Sequence, residues 1–375
     1  MPPAHPLDAV THPDPYSYYA SLARDQPLYR DATLGMWVAA HPETISAIMR
    51  HPAARVRPAG EPVPRGLCPG PAGELFGRFV RMNDGAAHAR LKALLVAFIR
   101  EREQENEQEQ PHESADPPPL PPATYDAAGV DRYLYAAPVH AQSAFLGLPP
   151  ALHADCAAEI GSFLHALPAN AGADRSAAGH AAAARLLTRL KAHLAGPHAT
   201  PALHRLCEEA ARDGIAPDLV TANLAGLLFQ SCEAGAGLLG NALILAGRRG
   251  VSEPLTREAA LALIDDVVRH DPPLHNTRRF MAEAAEIAGQ RIAAGQTVLL
   301  VLAAAARIEP DAGWTFGAQR HACPGAALAR RHAADALLHL LRAGTNPAAL
   351  AARFRYRTLP NARVPQFDFQ EDSNP

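Results

Sequence analysis

A cysteine stands just ahead of a helix-forming run in the segment Thr315-Phe316-Gly317-Ala318-Gln319-Arg320-His321-Ala322-Cys323-Pro324-Gly325, which leads directly into AALARRHAADALLHLL. A thiol in that position faces the free amides and the positive end of the helix, and both favour the ionised sulfur that acts as a nucleophile or metal ligand. Gly317 and Gly325 allow close approach of backbone to a flat ligand, and Pro324 restricts the turn after the sulfur. A lone cysteine is more often an inert core residue, so the rest of the segment has to carry the argument. A second chemical group sits in an unusual place. Glu233 interrupts the long apolar stretch PDLVTANLAGLLFQSCEAGAGLLGNALILAG, from Pro217 to Gly247. A carboxylate there is costly unless it is paired, hydrated or functional.

The elements that must position these groups are mostly helical, because Ala, Leu, Arg and Glu dominate and apolar residues recur at helical spacing. Asp14-Pro15-Tyr16 predicts a first helix start, Leu34 to Ala40 a short strand with a turn at His41-Pro42, and Pro42 to Met49 another helix. The stretch Pro217–Gly247 is apolar all round and so belongs in the middle of a protein. Gly235 and Gly237 near its centre predict a kink or local widening. A helix from Glu258 to His270 ends at Asp271-Pro272-Pro273. Beyond it, IAG and RIAAGQ read as short strands, and the apolar stretch VLLVLAAAA as the beginning of a helix. The fold class is mainly α with small β-sheets.

The chain has 375 residues, 35 Lys and Arg against 38 Asp and Glu, and a net charge of −3, so it lacks the single-sign field that holds nucleic acid or an anionic membrane. No uninterrupted apolar run approaches the about 20 residues of a membrane span. The start MPPAHPLDAVTHPDP lacks the basic and apolar parts of a signal peptide, so the expected location is cytoplasmic. Cys68, Cys156, Cys207, Cys232 and Cys323 are odd in number, widely spaced and without a Cys-x-x-Cys pair, which disfavours a disulfide framework or zinc ribbon. From Arg100 to Ala123 the chain is rich in Glu, Gln and Pro, which predicts a helix fraying into a flexible insertion rather than a domain boundary.

The cysteine segment resembles the haem-binding loop of the cytochrome P450 family, Phe-Gly-x-Gly-x-His/Arg-x-Cys-x-Gly before a long helix. Phe316, Gly317, His321, Cys323 and Gly325 match, and Gln319 replaces the second glycine. The resemblance runs from Asp14 through the last helix, as a single domain over 1–375 with 100–123 as an insertion. It implies the P450 fold, with haem b between a long central helix and a proximal cysteine loop and with Cys323 as the iron ligand. A thiolate ligand of this kind pushes electron density onto haem iron and favours O–O cleavage. Asp84 to Lys92 resembles the family's His-x-x-x-Arg helix with Lys92 for arginine, so His88 and Lys92 are implied propionate partners, as are Arg278 or Arg279 and His321. A lysine still offers a point charge but loses the bidentate fork of arginine.

The apolar stretch resembles the family's central helix. Glu233 occupies the position of its proton-delivering acid, and Gly235 stands where relatives place an alcohol. Asp266-Val267-Val268-Arg269 resembles the family's Glu-x-x-Arg pair, and acid and arginine one turn apart can still meet. Between Ala306 and Phe316 only RIEPDAGWT remains, shorter than the family's meander. Arg307 matches an arginine after the strand, but the third arginine of the family's triad has no counterpart.

The resemblance implies a soluble, bacterial-type haem-thiolate monooxygenase. Such an enzyme takes electrons from ferredoxin and ferredoxin reductase and inserts one oxygen atom from O2 into an organic small molecule. Glu233 with ordered water, or a substrate hydroxyl, would stand in for the missing alcohol. The alternatives are a peroxide-using or atypical member, a degenerate haem- or carrier-protein-binding member and, weakest, a zinc site at His321 and Cys323.

Overall fold

A computed structural model describes residues 2–58, 60–109, 126–251 and 254–370. The expected insertion is helical as far as residue 109, and the remainder of it, to Ala123, lies outside the described residues. The chain divides into two compact units. One takes the described residues within 1–54, 119–137 and 233–375, and the other those within 55–118 and 138–232.

In chain order the elements are α1 (Tyr16–Asp25), β1 (Leu28–Asp31), β2 (Met36–Ala39), α2 (Pro42–Arg50), β3 (Ala54–Arg55), α3 (Pro71–Gly77) and α4 (Gly85–Glu109). Then come α5 (Ala127–Phe145), α6 (His153–His165), α7 (Ala173–Ala195), α8 (Pro201–Arg212), α9 (Pro217–Arg248) and α10 (Arg257–His270). The chain continues through β4 (Thr277–Met281), β5 (Ala285–Ile287), β6 (Gln290–Ile292), β7 (Thr297–Leu300) and α11 (Leu302–Ala305). It ends in α12 (Ala326–Arg342), α13 (Pro347–Ala352), β8 (Arg355–Tyr356) and β9 (Pro365–Gln366).

Local chemistry explains the boundaries. Thr200 and Thr256 cap α8 and α10 by accepting from Leu203 N and Ala259 N at 3.3 and 3.2 Å. α10 ends at His270, with Asp271 as its C-cap and Pro272 and Pro273 following, as the sequence predicts. The strands form a sheet in the order β1-β2-β7-β4-β3, with β2 and β7 parallel and β4 and β7 antiparallel. The stretch after Gln296 therefore differs from its expected helix start. Thr297–Leu300 is an inner strand, and the helix that follows it, α11, spans only Leu302–Ala305.

α9 is α-helical without interruption from Pro217 to Arg248, with no widened turn at its glycines. Gly237 instead answers to packing: a Cβ there would lie 2.7 Å from Arg363 O and 2.9 Å from Pro273 Cβ. At Gly240 a Cβ would come within 2.4 Å of Pro365 Cγ. The glycines let the carboxy-terminal segment lie directly on the helix. By length and composition α9 could cross a membrane, but 67% of its most apolar window is buried within the protein, as in a core helix. Its second half joins the start of α5, α10 and α12 in one apolar cluster of the first unit. A second cluster in that unit sits between α2, α11 and the sheet and includes Trp314.

In the second unit, Phe79, Phe163 and Phe229 converge, with ring centroids 5.3 Å apart for Phe79–Phe229 and 4.8 Å for Phe163–Phe229. Asn223 of α9 accepts from Val80 N at 2.7 Å and donates to Arg78 O at 3.0 Å, satisfying the turn that precedes α4. Those contacts set the start of the helix that carries His88.

His275, between α10 and β4, is fully buried and hydrogen-bonds through Nδ1 to the Tyr19 hydroxyl at 2.9 Å. Burial, followed by the charges of Arg363 and Arg307, holds its imidazole neutral far below the ordinary histidine range. Unfolding restores an ordinary pKa near 6.5, so below that pH the unfolded chain binds a proton that the folded one refuses. Stability is therefore expected to fall by about 1.4 kcal/mol per pH unit below about pH 6.5 from this residue. Urea unfolding of wild type and His275→Gln from neutral to mildly acidic pH checks it: the variant's curve should be flatter, and equal slopes would remove His275 as the cause.

Candidate functional site around Cys323

Two short turns shape the loop ahead of α12, Trp314–Phe316 and Gln319–His321. Trp314 and Thr315 are buried, and Thr315 Oγ1 accepts from Leu274 N at 3.0 Å, which fixes the loop's entrance. Phe316 packs partly against the core cluster beneath Arg330, whose guanidinium carbon lies 4.5 Å from the ring centroid. Cys323 N donates to Phe316 O at 2.8 Å, so the loop closes on itself at the cysteine. Gly325 is the N-cap residue of α12 and accepts from Ala329 N at 2.8 Å. Cys323 is exposed, unusual for a residue type that is mostly buried, and it precedes the N-cap residue of α12 by two positions.

Gly317 has φ +68°, and a Cβ there would lie 3.3 Å from His321 O, so it satisfies both a conformational and a spatial demand. Gln319 has φ +58°, the left-handed conformation a glycine would take without cost. The turn is thus held by a residue that bears about 1 kcal/mol or more of strain there.

In the middle of α9, Glu233, Ala234 and Gly235 are half-buried, whereas every residue from Ala236 to Ile244 is buried. The expectation of a buried carboxylate is corrected: Glu233 sits on the accessible side of the helix. β4 gives the two adjacent arginines opposite burial by strand alternation. Arg278 is exposed, and Arg279 is 4% exposed with its Nη1 donating to Arg278 O at 2.8 Å. His321 is half-buried in the turn before the cysteine. Cys323, His321, Phe316, Gly317, Gly325, Arg278, Arg279, Glu233 and Gly235 all belong to the first unit. His88, buried, and Lys92, half-buried, share one face of α4 in the second, where neighbouring Leu91 and Leu95 pack on Val80.

Asp266 and Arg269 on α10 meet at 3.5 Å, as their spacing predicts. Sequence reasoning missed the partners that complete the cluster. Arg249, one residue past α9, reaches Asp266 at 2.6 Å, and Asp311 of the short connection reaches Arg269 at 2.8 Å. Arg307 donates to Arg269 O at 2.5 Å. The hydrogen bond from Arg249 holds the Asp266 carboxyl below its usual range. The pair Arg248-Arg249 at the end of a helix with few charges was the available signal.

The donor set fits haem. An exposed thiol at a helix start can supply one soft axial ligand, and the loop around it brings glycine backbone, an aromatic ring and a histidine to the same place. A buried guanidinium at Arg279 is the donor type that recognises carboxylates. A scan of protein-family models matches none of them, and no curated protein matches the chain in sequence. The fold has many solved counterparts. CalO2 aligns with a TM-score of 0.69 at 20% identity, covering 97% of both chains. P450BioI in complex with a hexadec-9Z-enoic acid ligated acyl carrier protein gives 0.69 at 20%, covering 94% of this chain and 97% of that one. Epothilone B-bound P450epoK gives 0.68 at 19%, covering 98% of each.

Proposed function

On a chain that has the cytochrome P450 fold, we propose a haem-thiolate monooxygenase that binds haem b through Cys323 and oxidises an organic small molecule. The observation that carries it is Cys323, exposed at the start of α12 in a loop whose backbone keeps the left-handed turns at Gly317 and Gln319. Haem bound there supplies the oxidising power, taking electrons from a donor and one oxygen atom from O2. The residues of the chain bind, orient and deliver protons. The helix start stabilises the sulfur as thiolate. Phe316, Gly317 and Gly325 give the macrocycle a close backbone and ring surface. Arg279, His321, His88 and Lys92 supply cations for its propionates, and Arg278, exposed on the other face of β4, is the weaker candidate of the two arginines.

Glu233 holds a half-buried carboxyl midway along α9, where it can exchange protons with solvent and serve as the general acid of the haem site. Gly235 beside it leaves room for water or a substrate hydroxyl to complete that path. Ferredoxin and ferredoxin reductase are the electron donors that suit a cytoplasmic enzyme of this kind. Among the neighbours, P450BioI is seen with an acyl carrier protein, which makes a carrier-tethered acyl chain one substrate class to assay beside free organic molecules. In Glu233→Gln, product per electron consumed should fall by about a hundredfold or more, the lower end of what one general acid contributes, while substrate binding holds. Unchanged coupling would remove Glu233 from proton delivery.

The deciding measurement is the absorption spectrum of protein expressed with ample haem, oxidised and then reduced under carbon monoxide. A strongly red-shifted carbonyl band supports the reading, and stoichiometric absence of haem sinks it.

A further inference from the structure

We infer that Arg320 positions the thiolate of Cys323 by clamping its loop onto the end of α2, an inference that rests on the haem-thiolate reading above. Arg320 lies in the turn Gln319–His321, three residues before the cysteine. Its Nη2 donates to Ala54 O at 2.8 Å and to His51 O at 3.2 Å, and its Nη1 to Arg50 O at 3.4 Å. Arg50 is the last residue of α2, and His51 follows it in extended conformation. The final carbonyls of a helix lack partners of their own, and a cation placed there also opposes the negative end of the helix. One planar guanidinium thus caps α2 and the turn after it, a task its fork performs and a single ammonium does not.

The clamp has a mechanical role in the loop. Gln319, immediately before it, carries a positive φ that a glutamine adopts only when its surroundings hold it there. Ala322 N donates to Gln319 O at 3.0 Å, so the same turn leads straight to the cysteine. The far side of the loop is fixed through Thr315 and Phe316, with Cys323 N on Phe316 O. The sulfur is therefore held between two anchors, one in the core cluster and one on α2. Without the second, the strained turn relaxes and the thiol loses its single position. Arg320 touches neither substrate nor haem in this role; it acts through the backbone of residues 319–323.

Two readouts test it in the full chain. In haem-loaded protein, the ferrous carbonyl spectrum reports the fraction with thiolate ligation. In haem-free protein, the rate of Cys323 alkylation by iodoacetamide, measured by peptide mass against exposed Cys68 as internal standard, reports the loop itself. Arg320→Ala should lower the thiolate form to a minority and change the Cys323 alkylation rate several-fold while Cys68 holds. Arg320→Lys should fall between it and wild type. Adding Gln319→Gly to Arg320→Ala should recover part of the thiolate form, because glycine takes the turn without strain; a loss of haem through general unfolding would not be repaired this way. A fully red-shifted band and an unchanged Cys323 rate in Arg320→Ala, or in Arg320→Lys where the alanine variant does not fold, overturn the clamp. A wild-type protein without the red-shifted band fails the haem-thiolate reading instead, and the alkylation comparison still decides the clamp.

Discussion

Replacing Cys323 by alanine is expected to abolish the red-shifted carbonyl band and to lower turnover by at least about a thousandfold, or about 4 kcal/mol of barrier. The size follows from what the residue supplies. As ligand, the Cys323 thiolate would push electron density onto the iron, and no other side chain from Phe316 to Gly325 offers an anionic sulfur to replace it. Fold stability should change little, because the Cys323 side chain is exposed and the loop's own bonds run through the backbone of Phe316 and Cys323 and through Thr315. The loss should therefore appear in spectra and turnover and leave thermal melting of the haem-free protein nearly unmoved. Cys68→Ser is the control, since that thiol is also exposed and lies in the other unit. Retention of the wild-type band in Cys323→Ala, or its loss in Cys68→Ser, would falsify the assignment of the ligand.

The cysteine loop was legible because its signals are local. A glycine at a left-handed turn, a histidine, a cysteine, a proline and the onset of a helix all fall within eleven consecutive residues, and each constrains backbone within a few residues of itself. Helix ends at paired prolines were legible for the same reason. What escaped depends on contacts distant in sequence. Thr297–Leu300 is an inner strand buried along most of its length, so its apolar run lacks the alternation that marks a half-buried strand. Gly237 could be read as a kink because its neighbour Arg363 lies far along the chain, and only packing shows that the missing Cβ makes room for another backbone. Strand periodicity separates Arg279 from Arg278, but only once β4 is placed in the sheet. The partners of the α10 pair, Arg249 and Asp311, come from elements on either side of it, and no spacing rule links them.

The largest effect on folding is expected at a residue that no motif marks. Arg363 is 1% exposed, and all three of its guanidinium nitrogens are engaged: Nε donates to Asp271 Oδ1 at 2.8 Å, Nη1 to Val10 O and His12 O at 2.9 and 2.8 Å, and Nη2 to Pro13 O at 3.1 Å. It lies 3.4 Å from the centroid of the Tyr356 ring, and the hydroxyls of Tyr16 and Tyr356 both donate to Asp271. Burial works against its charge, but Asp271 and the two tyrosines outweigh it and hold the guanidinium protonated. The same burial, with the Asp271 charge, pushes the Tyr16 phenol well above its ordinary range. One side chain thereby ties the amino-terminal segment and the end of α10 to the strand pair β8–β9.

Such a pair adds little over an apolar substitute when both partners are exchanged, but removing one partner leaves the other buried and uncompensated, which costs about 3–5 kcal/mol. Arg363→Met should lose that much in urea unfolding, a large share of the about 5–15 kcal/mol that holds a folded domain. Arg363→Lys should recover only part, since one ammonium cannot serve a carboxylate and three carbonyls that a fork spans. Combining Arg363→Met with Asp271→Asn should cost less than the sum of the two single changes, because the second substitution removes the charge the first has orphaned. The three backbone carbonyls stay unpaired in every methionine variant, so the double variant should remain less stable than wild type. A loss below about 1 kcal/mol in Arg363→Met, or strict additivity of the pair, would show that the segment is held by its apolar packing and not by this ion pair.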